Sequence, residues 1–209
     1  TQQGRFIIAL NGSSIFDLHK RQTIYSKTVP ADVLTFAYEE AIKRGFPCQV
    51  YKGDTTFANV DNDFVHLDAK LCKLKVEIVP DFKTFLQQGH TKMLIPGDEK
   101  QIAEFNQFLK RELGNKAVVF TSKPYFLEIM PADSGKGEAI KWLADYLGIP
   151  QEKTMAFGDS MNDESMIRMT GFSVAMCNGL QYIQQIAKYV TQNSNDEDGI
   201  GKFLNDFVL

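Results

Sequence analysis

Cysteine and histidine are scarce, with three of each among 209 residues. Cys48, Cys72 and Cys177 are odd in number, lie far apart and have no CxxC partner. That argues against a disulfide framework and for buried bystanders in a reducing compartment. His19, His66 and His90 each lack a second ligand three or four residues away, which argues against a zinc site. An excess of one charge is lacking too. With 23 Lys+Arg against 26 Asp+Glu, the net charge of -3 gives no electrostatic case for nucleic acid or an anionic membrane. No apolar run approaches the roughly 18 residues of a membrane span and no basic-then-apolar leader is visible, so a soluble, cytoplasmic protein is expected. Two ligand motifs are also missing. The GxxxxGK[ST] spacing of a P-loop does not occur. In "NSNDEDGIGKFL", placing Gly199 sixth in a calcium loop puts Ser194 first and Asn205 twelfth, where Asp and Glu are needed, so a helix-capping loop near the site mouth fits better.

What the chain does have is a hydrophobic content of 44% and an alternation of strand-like and helix-like stretches. "RFIIALNG" reads as a buried strand closed by a turn, and "QTIYSKTV" as an exposed strand. "PADVLTFAYEEAIKRG" predicts a helix with Val33, Leu34, Ala37 and Ala41 on one face. "PCQVYKG", "KVEIV" and "TKMLIPG" predict strands, and "DNDFVHLDAKLCKL" a helix. "DEKQIAEFNQFLKREL" puts Ile102, Phe105, Leu109 and Leu113 on one helical stripe. "AVVFTS" and "YFLEIMP" suggest an antiparallel pair. The 16 phenylalanines follow these periodicities and read as core rather than as a stacking platform.

From Lys136 the order becomes helix, strand, helix, strand, helix, strand, helix. "GKGEAIKWLADYLG" is expected to bury Ile140, Leu143 and Leu147, and "TMAFGD" and "FSVAM" are strands. Such alternation indicates a parallel sheet with crossovers. The expected α/β organisation is a core strand in residues 1–12, an α+β insertion over 13–131, and the rest of the core over 132–209, with the strand at 5–10 in the same layer as the C-terminal strands.

"GDSMNDESM", residues 158–166, packs three acids and an amide between a strand and a helix. Ligands bind at the carboxyl ends of strands in α/β sheets. Asp159, at such an end, and Asp163, four residues on, could face one Mg²⁺, an ion commonly held by one or two carboxylates plus substrate phosphates. Asn162 between them can offer an amide, and the helix N-terminus favours an anion. The same spacing also serves a simple helix cap by Asp163 or Ser160. A second stretch, "SGKGEAI", sets Lys136 between two glycines at a helix mouth, where backbone and ammonium can both approach a phosphate.

Together, "SGKGEAIKWLADYLGIPQEKTMAFGDSMNDESMI" and "FSVAMCNGLQYIQQIAKYVTQNSNDEDGIGKFL" resemble the C-terminal half of haloacid dehalogenase superfamily phosphatases of the Cof type. "FIIALNGSSIFD" and "TIYSKTVP" are similar to the strand leading into that family's cap. The resemblance implies a Rossmann-like core with an inserted type IIB α+β cap, and a Mg²⁺-dependent phosphomonoesterase acting on small sugar or metabolite phosphates. It implies phosphate contact and a catalytic role for Lys136, metal binding by Asp159, completion of the site by Asn162, and a metal and catalytic role for Asp163. The family's DxDGT, which supplies the nucleophile and the acid/base, and its Ser/Thr motif do not occur in these 209 residues. "IFDLHKRQT" with Asp17, and "NVDNDF" with Asp61 and Asp63, lack the required flanks and are expected to be surface loops. The resemblance therefore implies an N-terminally truncated core. The alternative function is a non-catalytic fragment that binds a phosphorylated ligand or another protein.

Overall fold

The computed structural model describes residues 4–207. The chain divides into two units, one made of Thr1–Ile24 and Gly135–Leu209 and the other of Tyr25–Ser134. Among the described residues no helix is long and apolar enough to cross a membrane.

The first unit opens with three strands, β1 (Phe6–Ala9), β2 (Ser14–Asp17) and β3 (Gln22–Ser26), in a sheet of that order. β1 and β2 are antiparallel, with Phe6 opposite Asp17 and Ala9 opposite Ser14. This corrects two expectations. Among the described residues the strand at 5–10 pairs with β2 in a hairpin, and the C-terminal strands form a separate sheet. "IFD" is not a surface loop: Ile15 is fully buried, and buried Asp17 is satisfied by the backbone N–H groups of His19 and Lys20 at 2.8 and 2.9 Å. Residues 13–24, expected in the insertion, pack with the first unit.

The second unit is a six-stranded sheet with helices on both faces. Its strands are β4 (Gln49–Lys52), β5 (Thr55–Ala58), β6 (Lys75–Ile78), β7 (Met93–Pro96), β8 (Ala117–Lys123) and β9 (Phe126–Pro131), in the order β6-β5-β4-β7-β9-β8. Helices α1 (Ala31–Lys43), α3 (Phe82–Leu86) and α4 (Glu99–Leu113) share one core with Val50, Met93, Ile95, Leu127 and Ile129. The predicted stripes of α1 and α4 are the buried ones. Each large side chain so buried contributes about 1.5–3 kcal/mol. Alternate residues of β4 turn to the opposite face, where Gln49 and Tyr51 donate to Asp68 of α2 (Asp63–Cys72) at 2.6 and 2.8 Å. Lys27 Nζ donates to the Asp133 carbonyl at 2.6 Å, so the two ends of this unit lie side by side, as an insertion requires. β5 and α3 were not foreseen. Of the cysteines, all free, only Cys48 is buried, while Cys72 and Cys177 are exposed, which corrects the expectation of three buried thiols.

The chain returns to the first unit through α5 (Lys136–Leu147), β10 (Met155–Gly158), α6 (Glu164–Met169), β11 (Phe172–Ala175), α7 (Gln181–Ile186), β12 (Tyr189–Val190) and α8 (Gly199–Phe207). β10, β11 and β12 pair in parallel, as the alternation predicts. α5 does not bury the expected face: Ala139 and Ala144 are buried and Leu147 is exposed. The reason is a close helix–helix approach. A Cβ on Gly137 would lie 2.4 Å from the Ser165 carbonyl oxygen, so small residues have to face α6. α8 sets Phe203 edge-on to Phe157 of β10 at 5.6 Å.

Candidate active site

β10 ends at Gly158, and a 3-10 turn over Met161–Asp163 leads directly into α6. Within this turn Asp163 is 5% exposed and both of its carboxylate oxygens are engaged. Oδ2 accepts the backbone N–H groups of Asp159 at 2.9 Å and Ser160 at 3.1 Å. Ser160 and Asp163 complete a capping box. Oδ1 accepts from Lys136 Nζ at 2.5 Å, which fastens the start of α5 to the start of α6. The backbone N–H of Gly137 donates to Ser165 Oγ at 3.0 Å and strengthens the same junction. Lys136 keeps 31% of its side chain in solvent. Burial alone would push the Asp163 carboxyl up, but the Lys136 ammonium and the two backbone donors outweigh it and hold the group below the ordinary carboxylate value.

Asp159 differs in kind. It is exposed, and its carboxylate makes no hydrogen bond or ion pair among the described residues. Its backbone is fixed from two sides, because the carbonyl accepts from Leu180 N–H at 2.8 Å and a Cβ on Gly179 would come within 2.9 Å of its Cα. The capping role that the spacing left open thus falls to Ser160 and Asp163. Asp159 is a rigidly held free carboxylate at a strand end.

The structure therefore joins Lys136, Asp163 and the backbone of Asp159 through a single carboxylate. Asn162 is not in that cluster. It is exposed, and its Nδ2 donates to Asn11 Oδ1 at 3.1 Å. Asn11 was missed as a site residue, since "LNG" announces only a turn. Ser165 gave no signal. The Asn193–Leu204 stretch carries a second capping box, Ser194 with Glu197, before α8, and Asn178 Nδ2 donates to Asn195 Oδ1 at 2.5 Å. Among the described residues no three His, Cys, Asp or Glu side chains gather into a metal cage. Asp61 shares an exposed hydrogen bond with the His66 ring, and Asn62 caps α2.

A profile of the haloacid dehalogenase-like hydrolases matches residues 1–204. The chain belongs to this family. The Bacillus subtilis hydrolase YwtE, named 5-amino-6-(5-phospho-D-ribitylamino)uracil phosphatase, is 26% identical over 200 residues, covering 94% of this chain and 69% of its own. A haloacid dehalogenase-like hydrolase from Bacteroides thetaiotaomicron, solved by crystallography, is 31% identical with a TM-score of 0.87, covering 96% of this chain and 76% of its own. The subclass IIB sugar phosphatase BT4131 shares the fold at a TM-score of 0.81 and 23% identity, covering 97% and 75%. The haloacid dehalogenase-like chain described here spans about three quarters of the length of those two solved structures.

Proposed function

We propose that this protein is a Mg²⁺-dependent phosphomonoester hydrolase of small sugar or metabolite phosphates, and that Lys136, Asp159, Asn162 and Asp163 form its phosphate and metal site. One observation carries the proposal. The free Asp159 carboxylate stands at the end of β10, and its backbone N–H donates to the same Asp163 carboxylate that holds the Lys136 ammonium. One free carboxylate with room for water and phosphate oxygens suits Mg²⁺, which keeps several waters, and does not suit an ion that wants an all-protein cage. The bound ion would neutralise charge on the phosphoryl oxygens.

The chain's own groups have distinct tasks. Asp159 binds the ion directly. Lys136 supplies a point charge to the phosphoryl group, where stabilisation of developing charge dominates phosphoryl transfer. Asp163 holds the lysine in place and ties the Asp159 backbone to it. Asn162 offers a neutral amide donor. The family resemblance assigns the nucleophile to a DxDGT aspartate, a motif that these 209 residues do not contain. The names of YwtE and BT4131 support small phosphorylated metabolites, with polyhydroxylated leaving groups, as the substrate class.

A fusion tests the reading. A DxDGT-bearing segment of the kind that the family resemblance implies is placed ahead of Thr1, and phosphate release from a panel of sugar phosphates is followed with and without Mg²⁺. Metal-dependent release that disappears in Asp159→Ala and Lys136→Ala is expected. Metal-independent release, or release that survives both substitutions, would overturn it.

A further inference from the structure

Asn11 lies outside both site stretches, yet its side chain meets Asn162 across 151 positions of sequence. The backbone that carries it is unusual. Leu10 and Asn11 have φ of 51° and 50°, two consecutive non-glycine residues in the left-handed region, and Gly12 follows at 98°. A non-glycine residue such as Leu10 takes up this conformation only where its surroundings hold it. The hairpin does not demand this strain. Ala9 pairs with Ser14, leaving a four-residue loop that is ordinarily built around an unstrained type I turn.

What holds the loop is the backbone before Lys136. A Cβ on Gly12 would fall 2.0 Å from the Gly135 carbonyl oxygen and 2.9 Å from the Lys136 nitrogen, so the turn is seated against the mouth of α5. Two buried oxygens at this junction, Ser13 Oγ and Glu138 Oε2, have no hydrogen-bond partner among the described residues. Buried polar atoms are nearly always satisfied, so each such exception calls for an explanation.

We propose that Asn11 is a positioning residue of the phosphate site, its carboxamide fixing the Asn162 amide while the strained turn docks that contact onto the backbone bearing Lys136. This rests on Lys136 and Asn162 binding phosphate. A neutral amide suits the task, because it accepts from Asn162 without placing negative charge beside an anion. An aspartate at position 11 would accept equally well and repel the phosphate.

The test uses the ¹⁵N-labelled 209-residue chain, inorganic phosphate with Mg²⁺ as the probe, and two variants. Asn11→Gly keeps the left-handed backbone and removes the carboxamide that accepts from Asn162. Phosphate is expected to bind about five- to tenfold more weakly, the worth of one neutral hydrogen bond, with an unchanged or higher unfolding midpoint and displaced Asn162 side-chain NH₂ resonances. Asn11→Asp should return those resonances toward their original positions while phosphate binding stays weak. Phosphate affinity within twofold of the parent in Asn11→Gly, or Asn162 resonances unmoved, would overturn the proposal. A parent protein that binds no phosphate would defeat the phosphate reading instead. The resonances then still judge Asn11: moved in Asn11→Gly, the positioning contact stands, and unmoved, it falls.

Discussion

Two aspartates four residues apart should respond to truncation in opposite ways. Asp163→Ala removes a capping contact worth about 1 kcal/mol. It also removes a backbone-to-carboxylate hydrogen bond from Asp159, of a class worth about 1.5–3 kcal/mol. The ion pair with Lys136 adds little to this sum, since the lysine is 31% exposed and can be rehydrated. The expected loss is about 2–4 kcal/mol. Asp159→Ala removes a carboxylate with no partner and should stay within about 0.5 kcal/mol of the parent, or gain slightly. The only tryptophan, Trp142, sits on α5 in the same unit as both aspartates, so urea unfolding followed by its fluorescence reports on this unit. A loss below about 1 kcal/mol for Asp163→Ala, or equal losses for both variants, would refute the division of labour between cap and free carboxylate.

Lys136→Ala should weaken inorganic phosphate binding by about tenfold or more while leaving Mg²⁺ affinity nearly intact, measured by titration calorimetry. Gly12→Ala would drive a Cβ to 2.0 Å from the Gly135 carbonyl oxygen at a φ of 98°, so a loss above about 3 kcal/mol in the Trp142 signal is expected. Burial lowers the His90 pKa from its ordinary 6.5, against the Phe85 carbonyl, which raises it, and with Lys52 nearby, which lowers it further. The unfolded chain therefore takes up a proton near pH 6.5 before the folded chain does. Stability of the Tyr25–Ser134 unit should fall as pH drops below that value, and circular dichroism melts of His90→Phe should show a flatter profile over the same window. The 209-residue polypeptide, without a DxDGT stretch, should turn over a generic aryl phosphate with Mg²⁺ far more slowly than a DxDGT-bearing relative, and comparable turnover would mean that another carboxylate attacks.

Much of this was legible where a pattern is long or chemically dense. The stripes of α1 and α4 repeat over three or more turns, and the parallel β10–β12 order follows from alternating strands and helices. Lys136 and the GDSMND turn stood out because two helix mouths suited to an anion fall within one run of alternating strands and helices, although the same acids and glycines also serve as ordinary caps. The missed features are those that tertiary contact decides. Asn11 is an ordinary turn asparagine until Asn162 meets it, and Asp17 looks solvent-bound until two backbone donors satisfy it in a buried strand. α5 turned out to bury alanines rather than leucines, since Gly137 lets α6 approach more closely than any helical periodicity can encode. β5 and α3 are too short to show a period.

Mg²⁺ titration of the ¹⁵N-labelled chain in the presence of inorganic phosphate, read at the backbone amides of residues 158–164, tests the central claim most directly. The free-carboxylate account predicts saturable shifts centred on this turn that vanish in Asp159→Ala while the unfolding midpoint stays unchanged. Saturation of Asp159→Ala with the parent's affinity would contradict it.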